Sequence, residues 1–233
     1  MNELFSEIEA AAREAGAAKV GFANISTLKA MLVGDQTVFE YPSAISVMVE
    51  IPEDSVRSSL VAPSVELRAA YKQCNMKLKK AEEKVVEILV AAGYKARLVD
   101  PSERINKEML LGPISHKAVA RLAGLGWIGK NGLIITDDFG PRLRMGTVLT
   151  DMLVAKNPDP LKNDCGACTA CIDNCPKKVL KGPEFKDYPE SRDYVIDWAK
   201  CGKYEHTLIG DGSGPEKACG RCIAKCPKSG LEV

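Results

Sequence analysis

The chain has no apolar run approaching the roughly 20 residues that a bilayer-spanning helix needs, so no membrane partner is expected. It also lacks a charge of one sign. Its 32 basic and 31 acidic residues leave a net charge of +1, and no global field draws in a polyanion. Histidine is nearly absent, with only His116 and His206. The first ten residues are acidic and helical in pattern, with neither a basic leader nor a twin-arginine signal, so a cytoplasmic location is expected. In that compartment cysteines are kept reduced, and nine of them point to metal rather than to disulfides. The remaining composition, 45% hydrophobic and 27% charged over 233 residues, is that of a globular protein with room for two domains.

What the chain does have is one cysteine phrase, used twice. Cys165-Gly-Ala-Cys168-Thr-Ala-Cys171-Ile-Asp-Asn-Cys175-Pro176 has the spacing C-x2-C-x2-C-x3-C-P, and Cys219-Gly-Arg-Cys222-Ile-Ala-Lys-Cys226-Pro227 is a shorter copy. In bacterial ferredoxins this spacing lets three thiolates of a tight turn grip one cubane while the fourth reaches a neighbouring cluster. Two interlocked copies imply two 4Fe-4S clusters. A disulfide framework or a zinc site is the plainer alternative, but neither needs the phrase twice.

Ahead of the cysteines, Leu4, Ile8, Ala11, Ala12 and Ala15 mark a first helix capped by Gly16. Residues 18–23 read as a short strand, and Ser26-Thr27 as the cap of a brief helix through Met31 and Leu32. Residues 44–51 are the clearest strand, closed by Pro52. A long helix follows Ser64, with Leu67, Tyr71, Cys74, Leu78, Ala81, Val85, Ile88 and Ala92 on its apolar stripe and Gly93 at its end. Cys74 reads there as a small packed hydrophobe. A strand over 94–99, a helix over 116–123 capped by Ser115, and two strands, 133–136 and 142–149, around a turn complete this part. The polar, proline-containing stretch 156–164 reads as a linker. The expected domains are 1–155 and 156–233.

Gly124, Gly126, Gly129 and Gly132 crowd one short segment with Trp127 and Lys130. It spells G-x-G-x-x-G, but the segment before it reads as helix where a dinucleotide fingerprint needs a strand. It also spells G-x4-G-K, but Asn131 stands where a phosphate-binding loop needs Ser or Thr for magnesium. What remains is a backbone that allows close approach and offers amide donors, either to a flat cofactor or to its own turn.

The block from His116 through Ala123-Gly-Leu-Gly-Trp-Ile-Gly-Lys130, then Phe139-Gly-Pro-Arg-Leu-Arg-Met-Gly-Thr-Val-Leu-Thr-Asp151, then the doubled cysteine phrase, resembles the epoxyqueuosine reductase family and its reductive dehalogenase relatives. The resemblance implies an α+β fold: a nitroreductase-like α/β domain holding cobalamin, followed by a bacterial ferredoxin-like domain with two 4Fe-4S clusters. It implies cofactor contacts from Gly124, Gly126, Trp127, Gly129, Lys130, Arg142 and Arg144. It differs in two respects. The position of the family's aspartate acid falls, without gaps, on Leu110, and the family's arginine on Lys117. Glu108, Ser115 and His116 are the nearby candidates to donate a proton. The family's full-length enzymes also continue into helical repeats that help bind tRNA, whereas this chain stops at Val233, so tRNA is not expected as a substrate.

Interleaving as in two-cluster ferredoxins gives one cubane to Cys165, Cys168, Cys171 and Cys226. The other takes Cys175, Cys219 and Cys222. Cys201 is the remaining cysteine of that domain, and the family too places an odd ligand upstream of the shorter phrase. His206 is the alternative ligand. His116, with Lys117, is the candidate catalytic residue, as proton donor or cobalt ligand, against a reading as an ordinary helix-start histidine. Arg142 and Arg144 alternate on one strand, facing solvent or holding a phosphate or carboxylate. Trp127 reads as core or as a stacking platform.

The function expected is an iron–sulfur oxidoreductase feeding cobalamin to reduce a small molecule, or a corrinoid on another protein. Its electrons would come from a ferredoxin, a flavodoxin or a reductase. A flavin (FMN) reductase on the same fold and a non-enzymatic two-cluster electron carrier are the alternatives. Iron analysis tests the ligand assignment. About eight irons per chain are expected, falling by roughly half when Cys201 is replaced; unchanged iron in that variant would overturn the assignment.

Overall fold

A computed structural model describes residues 2–26, 28, 34–101, 103–106, 108 and 110–231. The brief helix expected through Met31 and Leu32 lies outside the described residues. The chain divides into two compact units. The first is Met1–Glu50, Cys74–Leu125 and Arg144–Leu161; the second is Ile51–Gln73, Gly126–Leu143 and Lys162–Val233.

The first unit is built on a sheet of order β1-β2-β6-β3. Its strands are β1 (Lys19–Asn24), β2 (Ser43–Glu50), β3 (Ala96–Val99) and β6 (Leu143–Thr150). β1 runs antiparallel to β2 with Gly21 opposite Ser46, and β3 antiparallel to β6 with Val99 opposite Thr147. Neighbouring residues of a strand point to opposite faces, which sorts the helices. Helix α1 (Asn2–Glu14) stacks Phe5 on Phe22 of β1, with ring centroids 4.3 Å apart. Helix α4 (His116–Leu122) ends against Gly21, where a β-carbon would come within 2.9 Å of Ala123 and Leu125. Its first residue, His116, bonds Thr147 of β6. Helix α3 (Val65–Ala91) sets Glu82 against Gly146 on the opposite face of β6. The sheet therefore carries α1 and α3 on one face and α4 on the other.

The capping signals act as their chemistry requires. The Ser64 hydroxyl accepts from the Leu67 amide at 3.1 Å, starting α3, and the Ser115 hydroxyl accepts from the Ala118 amide at 3.4 Å, starting α4. Gly16 and Gly93 end their helices at φ of +108° and +86°.

The second unit is mostly short helices: α2 (Glu53–Arg57), α5 (Ala170–Asp173), α6 (Arg192–Val195), α7 (Trp198–Ile209) and α8 (Arg221–Ala224). It also holds a two-stranded hairpin, β4 (Trp127–Ile128) and β5 (Ile134–Ile135), pairing Trp127 with Ile135. The expected pairing of 133–136 with 142–149 is thus corrected. β5 pairs back onto the glycine-rich segment, and β6 joins the sheet of the first unit. Among the described residues no helix is long and apolar enough to cross a membrane.

Glu82 is fully buried on the apolar stripe of α3, and neither carboxyl oxygen has a hydrogen-bond partner. A β-carbon on residue 146 would collide with that carboxyl, so Gly146 is the space it occupies. Burial pushes its pKa up to about 9, with Asp100 and Glu83 adding to the shift and the nearby Thr147 amide opposing it. An acid raised this way contributes most below its unfolded pKa near 4.5. Above that the unfolded chain ionises and the folded chain does not, so stability falls as pH climbs, by up to about 1.4 kcal/mol per unit. Glu82→Gln should gain on the wild type in thermal midpoint as pH rises from about 5 to 8. Parallel curves for the two proteins would contradict the assignment.

Candidate metal centre

Short turns of the second unit bring its cysteines together. The Cys168 amide donates to the Cys165 carbonyl at 2.9 Å, folding the first loop, and the Asn163 side chain accepts from the Cys165 amide at 3.0 Å. Helix α5 carries Cys171 inward, and the turn after α8 brings in Cys226. Cys165, Cys168, Cys171 and Cys226 line one cavity of about 120 Å³. That is several times the roughly 10–15 Å³ that admits one water. Trp127 and Ile135 of the hairpin form an apolar wall packed on Cys226 and Cys165. Among the described residues no three ligating side chains converge closely enough for a single metal ion; the four thiols stand around a space instead.

Cys175 is buried in an apolar cluster with Cys171, Val179 and Leu180, and Cys201 and Cys222 pack against that cluster, so Cys171 lies between the two sets of cysteines. The Cys219 amide donates to the half-buried Glu205 carboxylate at 3.1 Å. The Val179 amide reaches the Cys175 sulfur at 3.4 Å.

Charge tests what these thiols can hold. Burial pushes Cys171 up to about 11, and Cys226, Cys165 and Cys168 raise it further. Burial likewise lifts Cys201 to about 11, with Glu205, Cys219 and Cys175 adding. Cys222 is driven far above the thiol range by burial and by Cys219, Cys201, Cys171 and Cys175. Cys171, Cys201, Cys219, Cys222 and Cys226 therefore resist ionising beside one another. A polynuclear cation is what reverses that resistance, because metal ligation needs the thiolate and supplies the missing positive charge. The residues fit an iron–sulfur core.

The glycine-rich segment supports this site. β-Carbons at Gly126 and Gly129 would collide with Ile135, so these glycines close the β4–β5 hairpin. Lys130 donates to the Gly166 carbonyl at 2.6 Å in the first cysteine loop, and Asn131 to the Cys222 carbonyl at 3.2 Å. One hairpin thus ties both cysteine groups. Gly124 lies in the first unit at φ +70°, where a β-carbon would come within 2.5 Å of Pro158. Arg142 precedes its strand, buried, donating to Ser229 O at 2.6 Å and Ile51 O at 3.0 Å. Arg144 lies in the first unit, donating to the Asn75 side chain at 2.9 Å.

His116 is half-buried, its Nδ1 2.8 Å from the Thr147 hydroxyl. Burial lowers its pKa to about 4, helped by Arg144, Arg104 and Lys117, so the imidazole is neutral at pH 7. Leu110 holds a left-handed φ of +52° with its side chain 45% exposed. The sequence reading missed Glu82, Asn131 in its clamping role, and the Lys228–Asp164 ion pair, 2.6 Å long, beside the cysteine cavity.

Fold and cysteine constellation together define an α+β protein with the architecture of the reductive dehalogenases and epoxyqueuosine reductases. A catabolic reductive dehalogenase in complex with 3-bromo-4-hydroxybenzoic acid superposes with a TM-score of 0.74 at 18% identity, over 95% of this chain and 31% of that one. A second reductive dehalogenase, whose structure suggests a mechanism for B12-dependent dehalogenation, gives 0.71 at 18% identity, over 94% and 31%. An epoxyqueuosine reductase with an epoxyqueuosine-modified tRNA-Tyr stem loop gives 0.65 at 18% identity, over 98% and 66%.

In sequence the chain is similar to the epoxyqueuosine reductase of Gloeobacter violaceus, 39% identical over 109 residues, 47% of this chain and 30% of that protein. It is similar too to that of Synechocystis, 38% identical over 97 residues, 42% and 29% of the two chains. The matched segments span about a third of these relatives' length. No protein-family model matches the chain.

Proposed function

We propose that the chain is an iron–sulfur oxidoreductase. One 4Fe-4S cluster is held by Cys165, Cys168, Cys171 and Cys226, the other by Cys175, Cys201, Cys219 and Cys222. They relay electrons to a cobalamin bound by the nitroreductase-like residues 1–155, and the ferredoxin-like residues 156–233 supply all eight ligands. The observation that carries this reading is the grouping of the cysteines, four around one cavity and the others packed about Cys222.

Cobalamin is supported by the likeness to a dehalogenase described as B12-dependent. When bound, it supplies a strongly nucleophilic metal centre, which no side chain can match. Among the residues expected to hold it, Gly126, Gly129, Lys130 and Arg142 serve the cysteine unit, leaving His116, Lys117, Gly124 and Arg144 in the first unit. His116 is a neutral hydrogen-bonding or ligating imidazole at pH 7 rather than a standing imidazolium acid.

The reaction class is reductive cleavage of a polar carbon–heteroatom bond. Two electrons from a ferredoxin, a flavodoxin or a reductase either replace a halide by hydrogen, with one proton, or eliminate an epoxide oxygen as water, with two protons, leaving a double bond. A small halogenated aromatic acid and a modified tRNA are the two substrate classes suggested by the similar structures. The expectation against tRNA finds no support there, since one of those neighbours carries a tRNA stem loop.

Anaerobic reconstitution, followed by cobalt, iron and flavin analysis after incubation with each cofactor, tests the reading. Stoichiometric cobalamin uptake beside about eight irons is expected. Flavin uptake instead would make the protein a flavin reductase, and iron alone an electron carrier.

A further inference from the structure

Trp127 is 3% exposed, and its indole Nε1–H, buried from solvent, has no hydrogen-bond partner. Buried indole N–H groups almost always find an acceptor, because leaving one unmet forfeits the water it gave up. The ring packs on Cys226 and Cys165 and lines the cavity enclosed by the four thiols. The acceptor that fits this donor is the group that the cysteines would hold. Indole is a donor only, and a cluster core presents sulfide and thiolate acceptors.

We infer that Trp127 is the hydrogen-bond donor to the cubane of Cys165, Cys168, Cys171 and Cys226, and that it sets that cluster's reduction potential. The inference rests on the proposed assignment of that cubane. Two features explain why the donor comes from so far upstream. The hairpin pairs Trp127 with Ile135, and glycines at 126 and 129 bring its strands close enough to do so. Lys130 and Asn131, next in sequence, anchor the hairpin to carbonyls of both cysteine phrases, which fixes the indole against the cavity. Lys228, paired with Asp164, adds a cation 5.7 Å from the ring centroid. An N–H donor and a cation both favour the more negative, reduced cluster. Trp127 is a positioning residue, acting on the cluster and not on substrate.

The test compares wild type and Trp127→Phe, which keeps the ring and loses the donor, by anaerobic redox titration followed with electron paramagnetic resonance. The potential of one cluster is expected to fall while the other stays, with iron content unchanged. A second measurement needs no folded variant. Wild type carrying ¹⁵N-indole tryptophan should show a ¹⁵N hyperfine coupling to one reduced cluster. That coupling should survive Trp198→Phe, the substitution of the only other tryptophan. Full iron with unmoved potentials in Trp127→Phe, or no ¹⁵N coupling in the reduced wild type, overturns the inference alone. A wild type that binds no iron overturns the proposed function, and this inference with it.

Discussion

The mutual repulsion of buried thiolates is the constraint on which the cysteine unit depends. Cys171, Cys201 and Cys222 are each pushed toward the neutral thiol by burial and by the sulfurs around them. Without metal, these buried thiols are held neutral and have little reason to stay together. If the cysteines hold metal as proposed, the cost of burying them becomes a requirement that the set close at once. The interleaving makes that requirement collective. In the proposed interleaving Cys226 goes with the first phrase and Cys175 with the second, so neither loop would complete a site alone.

The glycine-rich segment takes its meaning from the same constraint. Its four glycines suit either a loop lying against a flat cofactor or a tight turn of the chain on itself. In the structure Gly126 and Gly129 let a two-residue hairpin close, and that hairpin supplies an apolar wall, a lysine to one cysteine loop and an asparagine to the other. Arg142, read from the sequence as facing solvent or holding a phosphate or carboxylate, is buried and donates to the carbonyls of Ser229 and Ile51. Side chains that read as cofactor ligands hold the cysteine unit together.

Much of this was legible from residues alone, for reasons that differ by element. Cysteine spacing is covalent arithmetic, and the grouping of Cys165, Cys168, Cys171 and Cys226 could be written down before any coordinates. Helix α3 announced itself through a long stripe with Ser64 and Gly93 at its ends. The pairing of Trp127 with Ile135 was hidden, because two-residue strands are shorter than any periodicity can register, and residues 133–136 were matched to the wrong neighbour. Glu82 left a signal that went unread. It stands beside Ala81 between Leu78 and Val85 of the apolar stripe, and Gly146 interrupts a strand. The unpartnered indole of Trp127 left no sequence signal, since an orphaned donor is a property of packing.

The most direct measurement is anomalous diffraction at the iron edge from crystals grown without oxygen. Two compact four-iron densities are expected, one bounded by Cys165, Cys168, Cys171 and Cys226 beside Trp127, the other by Cys175, Cys201, Cys219 and Cys222. Isolated single-metal peaks at these cysteines, or a cluster that leaves Cys226 or Cys201 unligated, would contradict the account.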